Sequence, residues 1–364
     1  MKRDEKGDLV RVIVAGGGTG GHLFPGIAVA DALRETQGAE VRFIGSERGI
    51  ERKLVPQNDY PVDLLPVRGF RGKSLTDSFA AARDLAVSLW RARQLVASFA
   101  PDLAIGVGGY AAFPAIAAAW RQGVPIVLLE QNAAVGLTNR ILSRLAHRIC
   151  VSFPETAEAL GPRAIFTGNP IRFSSPGSSA PVREEGAFRL LVFGGSAGAR
   201  KLNQVVPEAV GGMNLPVQVR HQAGASEAEA VRAAYRACDV DAEVETFIED
   251  MGAAYDWADL VICRAGASTI AELTVLGCPA ILVPYPYATG DHQTENARPL
   301  DAAGAGWLVP DAQLQADSLR AQIESLQASP DRLASAAQAS RQLGRPGALE
   351  AVVEVCVAAS TAGV

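Results

Sequence analysis

The sequence predicts an α/β protein of two doubly wound parallel-sheet domains, and three observations carry that reading. Short β-branched runs alternate with longer helical segments, a strand, glycine loop and helix recurs near the start of each half, and 364 residues exceed one ordinary core. The first such unit spans residues 12–33. The apolar run 12–15 is strand-like, Phe24, Ile27 and Leu33 recur at helical spacing, and between them lies Gly-Gly-Gly-Thr-Gly-Gly-His at 16–22.

Five glycines around Thr19 let the backbone turn sharply and approach a ligand, while the next helix aims free N–H groups and its positive dipole end at the same point. This is an anion site suited to phosphate. Gly16, Gly18 and Gly21 also satisfy G-x-G-x-x-G, but Glu47, after the strand at 41–44, comes late for the acid that holds a nicotinamide ribose. A histidine at a helix start, as His22 is, has its cationic form disfavoured and suits a proton acceptor; a loop histidine that only bonds the backbone fits equally well.

Further strands are expected at 41–44, 62–65, 103–107, 126–130 and 148–151. The loops at 16–22, 108–110 and 130–132 then follow carboxyl ends of strands, where ligands bind in such sheets, and should converge on one cleft. Residues 103–120 carry no charge and have the length of a membrane span, but Gly106, Gly108, Gly109 and Pro114 interrupt them. Strand, glycine turn and buried helix are expected there instead.

The domains are expected at 1–170 and 188–344, joined by a linker at 171–187 whose Ser-, Pro- and Gly-rich part, 174–187, lacks apolar periodicity. The second unit opens with a strand at 189–193, a glycine loop at 194–199 and a helix holding Leu202 and Val206. Strands follow at 217–221, 243–247, 260–263 and 280–283. Residues 312–342 read as helical and 348–359 as a closing helix, with 345–364 expected to complete the first domain.

A net charge of −5 and a pI near 5.5 argue against a general nucleic-acid binder, which needs excess cations to displace counterions. Cys150, Cys238, Cys263, Cys278 and Cys356 are scattered, form no C-x-x-C pair, and read as small core residues of a reducing compartment. The polar stretch 1–8 precedes no apolar segment long enough for a signal peptide, so export is not expected.

Longer motifs add a resemblance. They are GGGTGGHLFPGIAVA at 16–30, RGFRGK at 68–73, GVGGYAAFPA at 106–115, LEQNAAVGLTNR at 129–140, GNPIR at 168–172, GGSAGARKLN at 194–203, FIEDM at 247–251, CRAGASTIAEL at 263–273 and DHQTENA at 291–297. In this order they resemble glycosyltransferase family 28, whose peptidoglycan members move N-acetylglucosamine from its UDP sugar onto a muramoyl-pentapeptide lipid intermediate. The resemblance implies GT-B architecture, two Rossmann-like domains facing across a cleft, a UDP sugar held mainly by the C-terminal one, and inverting transfer with no cofactor and no obligatory metal. It also implies a peripheral protein on the cytoplasmic face of the cell membrane.

Inverting transfer needs a base for the acceptor hydroxyl and something cationic or dipolar for the departing diphosphate. His22 and Glu130 are the candidate bases. By resemblance, Thr19, Gly20 and Gly21 touch donor sugar or acceptor diphosphate, Tyr110 and Asn132 line the cleft, and Arg172 and Ser196 contact the donor diphosphate. Ile248 should meet the uracil edge through backbone groups, Ala267, Ser268 and Thr269 should present helix N–H groups to phosphate, Glu272 should accept from the ribose, and Gln293 should read sugar hydroxyls. Asn203 and Thr294 complete the implied substrate-binding set.

Bland readings stand beside these. Thr269 and Glu272 fit a helix capping box, and Tyr110 and Asn203 fit ordinary turn and helix residues. Asp239-Val240-Asp241 has the D-x-D spacing of metal-dependent transferases, but reads as a solvated turn before a strand. His147 reads as a surface or packing residue and His221 as a strand end. Residues 68–93 mix Phe70, Leu75, Phe79 and Trp90 with six cations, a face suited to an anionic membrane or, as an ordinary amphipathic helix, to burial against the sheet. A UDP-sugar epimerase of the same architecture and a nucleotide-binding module or dehydrogenase remain the alternatives, the first lacking any need for acceptor-side glycine motifs.

Overall fold

The computed structural model describes residues 11–67, 75–171, 188–195, 198–213 and 216–361. The chain divides into two compact units, Met1–Arg172 with Gly347–Val364, and Phe173–Pro346. The predicted linker lies almost wholly outside the described residues.

The first unit runs β1 (Arg11–Gly16), α1 (Gly20–Gln37), β2 (Glu40–Ser46), α2 (Glu51–Gln57), β3 (Val62–Leu65), α3 (Leu75–Phe99), β4 (Leu103–Gly108), α4 (Ala112–Arg121), β5 (Ile126–Glu130), α5 (Leu137–Leu142), β6 (Arg148–Val151), α6 (Pro154–Leu160) and β7 (Ala164–Phe166). Its sheet is parallel throughout, in the order β3-β2-β1-β4-β5-β6-β7. Alternate residues of one strand feed opposite faces, so Val12 and Val14 pack in one core layer and Ile13 and Ala15 in the other. The uncharged stretch 103–120 is β4, a glycine turn and α4, and no helix among the described residues is long and apolar enough to cross a membrane.

The second unit runs β8 (Phe188–Phe193), α7 (Arg200–Gly211), β9 (Val217–Gln222), α8 (Ala228–Ala237), β10 (Asp241–Glu245), α9 (Met251–Trp257), β11 (Leu260–Cys263), α10 (Ala267–Leu276), β12 (Ala280–Leu282), α11 (His292–Ala302), β13 (Gly306–Leu308), α12 (Ala316–Gln327) and α13 (Pro330–Leu343). Its parallel sheet has the order β10-β9-β8-β11-β12-β13. A last helix, α14 (Ala348–Thr361), places Val352, Cys356 and Ala359 in the core of the first unit beside Leu23, Ile27 and Cys150.

Several expectations needed correction. β10 lies two residues earlier than the expected 243–247, because this edge strand pairs only with β9 and its ladder ends at Glu245, leaving Phe247 half exposed outside the sheet. β7 and β13 went unforeseen; both are three-residue edge strands too short to show alternation. The helical stretch 312–342 is broken at Ser329, where Pro330 opens α13. Of the cysteines only Cys238 is exposed, whereas the other four are buried. Asp241 is the first residue of β10, not part of the loop, and its carboxylate accepts from Gln218 on β9.

Candidate functional site

Both sheets reverse their winding beside their first strand, between β1 and β4 and between β8 and β11. Loops leaving the carboxyl ends at such a switch point diverge to opposite faces and open a crevice. In the first unit, two glycine runs meet there. Gly17 N–H donates to Gly108 O at 3.1 Å. A Cβ on Gly16 would lie 2.1 Å from Gly108 O and one on Gly109 2.3 Å from Gly17 O, so these glycines let two main chains touch. Contrary to the expectation that all five serve ligand approach, only Gly18 and Gly21 of residues 16–21 have open space where a side chain would stand.

Thr19 is exposed and is the N-cap of α1, but its hydroxyl makes no capping bond. Gly20 and Gly21, the first two helical residues, present the N–H groups that a helix cannot satisfy internally. Tyr110 follows the second glycine run with half its surface exposed. Beneath the loop lies Glu51, fully buried, accepting from Gly18 N–H at 2.8 Å and Ser46 N–H at 2.6 Å. Both Glu51 oxygens are committed to main chain, so this acid holds the loop in shape and is not available to a ribose.

His22 stands at the mouth of the loop. Its Nδ1 lies 3.0 Å from Gln131 Oε1, and Gln131 Nε2 donates to Val107 O at 3.2 Å, which joins the loops after β1, β4 and β5 into one site. Its Nε2 has no hydrogen-bond partner among the described residues. Glu130, the other expected base, is corrected by its surroundings. It is 1% exposed, and its two oxygens receive Asn132 N–H, Asn132 Nδ2, Gly136 N–H and Asn139 Nδ2. All four donors come from the loop and helix that follow β5, so the carboxylate is engaged in anchoring that segment. Asn132 is thereby tied to Glu130 while remaining partly exposed.

In the second unit, α10 opens at the switch point with Ala267, Ser268 and Thr269 as its first three residues. The N-cap is Gly266, so Thr269 sits too far inside to cap, and the expected alternative of a capping box with Glu272 is not formed. Ser268 Oγ is buried without a partner, an orphaned hydroxyl at a helix N-terminus of ten residues. Glu272 Oε2 instead accepts from Tyr255 OH at 2.7 Å. Burial, with Glu272 next in effect, raises the Tyr255 phenol well above its usual range and keeps it a donor.

Gln222 stitches neighbouring loops, donating to Gly195 O at 2.9 Å and accepting from Ile248 N–H at 2.8 Å. Of the Ile248 backbone groups expected at the uracil edge, the N–H is thus engaged within the unit. Asn203 is also corrected: it is 5% exposed, donates to Ala223 O and Glu227 Oε2, and meets His221 Nε2. Burial keeps His221 neutral within that network, pushing its pKa down to about 3. Gln293 accepts from Tyr285 N–H at 2.9 Å, and Thr294 donates to Asp291. Arg264, unforeseen, grips Val283 O, Pro284 O and Asp311 beneath the Tyr285 ring. Arg172 and Ser196 lie outside the described residues.

The residues sequence reasoning missed are Gln131, Glu51, Gln222, Tyr255 and Arg264. Gln131 and Arg264 sat inside the motifs already quoted. Glu51 lies 33 positions from its partner Gly18 and carried no signal.

Residues 12–151 match the glycosyltransferase family 28 N-terminal domain and 189–352 the family 28 C-terminal domain. The chain is 46% identical over 353 residues to the UDP-N-acetylglucosamine–N-acetylmuramyl-(pentapeptide) pyrophosphoryl-undecaprenol N-acetylglucosamine transferase of Alkalilimnicola ehrlichii, covering 95% of this chain and 98% of that protein. The Pseudomonas aeruginosa protein of the same name is 44% identical, with coverage of 95% and 98%. The crystal structure of Acinetobacter baumannii MurG superposes with a TM-score of 0.80 at 32% identity, over 95% of this chain and 99% of that one. A Neisseria meningitidis UDP-GlcNAc 2-epimerase shares the fold alone, with a TM-score of 0.65 at 14% identity over 95% and 99%.

Proposed function

The chain belongs to glycosyltransferase family 28, and we propose that it moves N-acetylglucosamine from UDP-N-acetylglucosamine to the C4 hydroxyl of undecaprenyl-diphospho-N-acetylmuramoyl-pentapeptide, inverting the anomeric centre. The relatives' shared name supports the two substrates. The observation that carries the reading on this chain is His22: a helix-start imidazole, braced on one nitrogen and, among the described residues, unpartnered on the other, beside a glycine loop suited to an acceptor diphosphate. The epimerase reading has only the fold in its favour.

The acceptor oxygen attacks the anomeric carbon as His22 Nε2 takes its proton, and the bond from that carbon to the diphosphate oxygen breaks. Thr19, Gly20 and Gly21 hold the acceptor diphosphate, with Tyr110 and Asn132 beside it. The leaving UDP gathers charge, which the N-terminus of α10, Ser268 Oγ and Arg172 stabilise, with Ser196 contributing a hydroxyl. Ala267 and Thr269 shape that helix start, Glu272 accepts from the ribose, Ile248 meets uracil through its carbonyl, and Gln293 and Thr294 read the sugar.

An acceptor with a polyprenyl tail stays in its bilayer. The first unit therefore docks on the anionic cytoplasmic face of the membrane, through Trp90 of α3 and Trp120 of α4, both about half exposed, and the neighbouring Arg83, Arg91 and Arg121.

The test is transfer from UDP-N-acetylglucosamine to a soluble analogue of the lipid-linked acceptor. Wild-type protein should give the disaccharide product, and His22→Ala should lower kcat by about a hundredfold or more with the donor KM unchanged. Normal kcat at saturating acceptor with a raised acceptor KM would reduce His22 to a binding residue and remove it as the base.

A further inference from the structure

Gln131 is 1% exposed at the carboxyl end of β5, where its amide must be satisfied at both ends. The Val107 carbonyl, 3.2 Å from Nε2, can only accept, so the amide nitrogen has to face it. Turning the amide over would set its oxygen against the Val107 carbonyl oxygen, two acceptors with no hydrogen between them. The oxygen is therefore left for His22 Nδ1 at 3.0 Å, and that contact requires a hydrogen on Nδ1. Neutral imidazole has only one such hydrogen, so its lone pair resides on Nε2.

Gly108 bounds the ring as well. Gly108 has φ +94°, and a Cβ there would lie 3.0 Å from Nδ1 and 3.1 Å from Cε1, so the glycine provides the slot in which the ring lies. We propose that Gln131 is a positioning residue that locks His22 in the Nδ1–H tautomer, directing the basic Nε2 to the acceptor hydroxyl. This rests on the role of His22 as base. When Nε2 takes the proton, the Nδ1–H bond to the amide oxygen persists and strengthens as the ring becomes cationic, so the ring need not reorient during the step.

The test uses the full chain labelled with ¹⁵N-histidine, with His22→Ala assigning the His22 signals and the other three histidines reporting that the fold is intact. Wild type should show Nδ1 protonated and Nε2 unprotonated in neutral His22. Gln131→Met should release the ring to the other tautomer and lower kcat by about ten- to a hundredfold at unchanged donor KM, by analogy with the loss of groups that orient reactive imidazoles. Gln131→Glu keeps an acceptor oxygen for Nδ1 and should retain the tautomer, with a lower Tm because its second oxygen is set against Val107 O. In the His22→Ala background, Gln131→Met should cause no further loss.

An unchanged His22 tautomer in Gln131→Met, or an equal loss of turnover with and without His22, overturns the proposal. Normal turnover in His22→Ala alone, with the tautomer still switched by Gln131→Met, fails the base assignment while supporting the lock, so the two are distinguishable.

Discussion

At the scale of the residue, Glu272 joins the ribose contact proposed for it to a structural bond on the same carboxylate. Tyr255 is 1% exposed and its hydroxyl donates to Glu272, so removing the carboxylate costs a buried hydrogen bond as well as the proposed ribose contact. Glu272→Ala should raise the donor Kd by about ten- to a hundredfold, the equivalent of one lost bond to a charged group, whereas Glu272→Gln keeps an acceptor oxygen and should weaken binding less. Calorimetry with UDP-N-acetylglucosamine measures both. A fall in Tm with donor affinity untouched would leave Glu272 a structural partner of Tyr255 and nothing more.

At the scale of the element, the glycine loop after β1 is shaped by what lies under it. Glu51, from the start of α2, fills space that side chains on Gly17, Gly45 or Gly49 would occupy, and its two oxygens hold Gly18 N–H and Ser46 N–H. An amide in its place offers an acceptor to one donor and a second N–H to the other. Glu51→Gln should therefore speed exchange of the Gly18 and Ser46 amide hydrogens by about 10- to 100-fold, corresponding to about 1–3 kcal/mol for a buried group left unsatisfied. Unchanged protection at both amides would show that the loop holds its shape without this carboxylate.

At the scale of the whole molecule, α3 is an amphipathic helix buried along one side, and the proposed membrane docking uses the other. Ala81, Ser88, Ala92, Val96 and Phe99 form its buried side, while Trp90 stands 60% exposed near the basic Arg83 and Arg93. Arg91 is partly neutralised by Glu47 at 3.6 Å. Residues 68–74, with Phe70 and three of the six cations, lie outside the described residues. Vesicles containing anionic lipid should pull the protein down at low ionic strength and release it as salt rises, since each well-placed cation contributes about 1 kcal/mol that salt screens. Trp90→Ala with Trp120→Ala should weaken the binding that survives salt. No pelleting at low salt would refute the docking face.

The sequence by itself determined the inner elements and the loops expected to converge in the first unit, because local pattern suffices for them: apolar runs mark the inner strands, and glycine runs after β1, β4 and β8 mark the turns that leave them. It also determined the family, since motifs such as those at 16–30 and 263–273 are contiguous. Short edge strands such as β7 were not legible, having too few residues for a period. Above all, which polar groups face one another was decided only by folding. Glu130 and Asn203 carry the same residue types as ligand-binding groups, yet their partners, Asn139 for the first and Ala223, Glu227 and His221 for the second, close on them within their own unit. Gln131 gains its part from Val107, 24 positions earlier, and from His22, 109 positions earlier. Hydrogen-bond satisfaction is a property of neighbours in space, and only the tertiary structure brings those neighbours together.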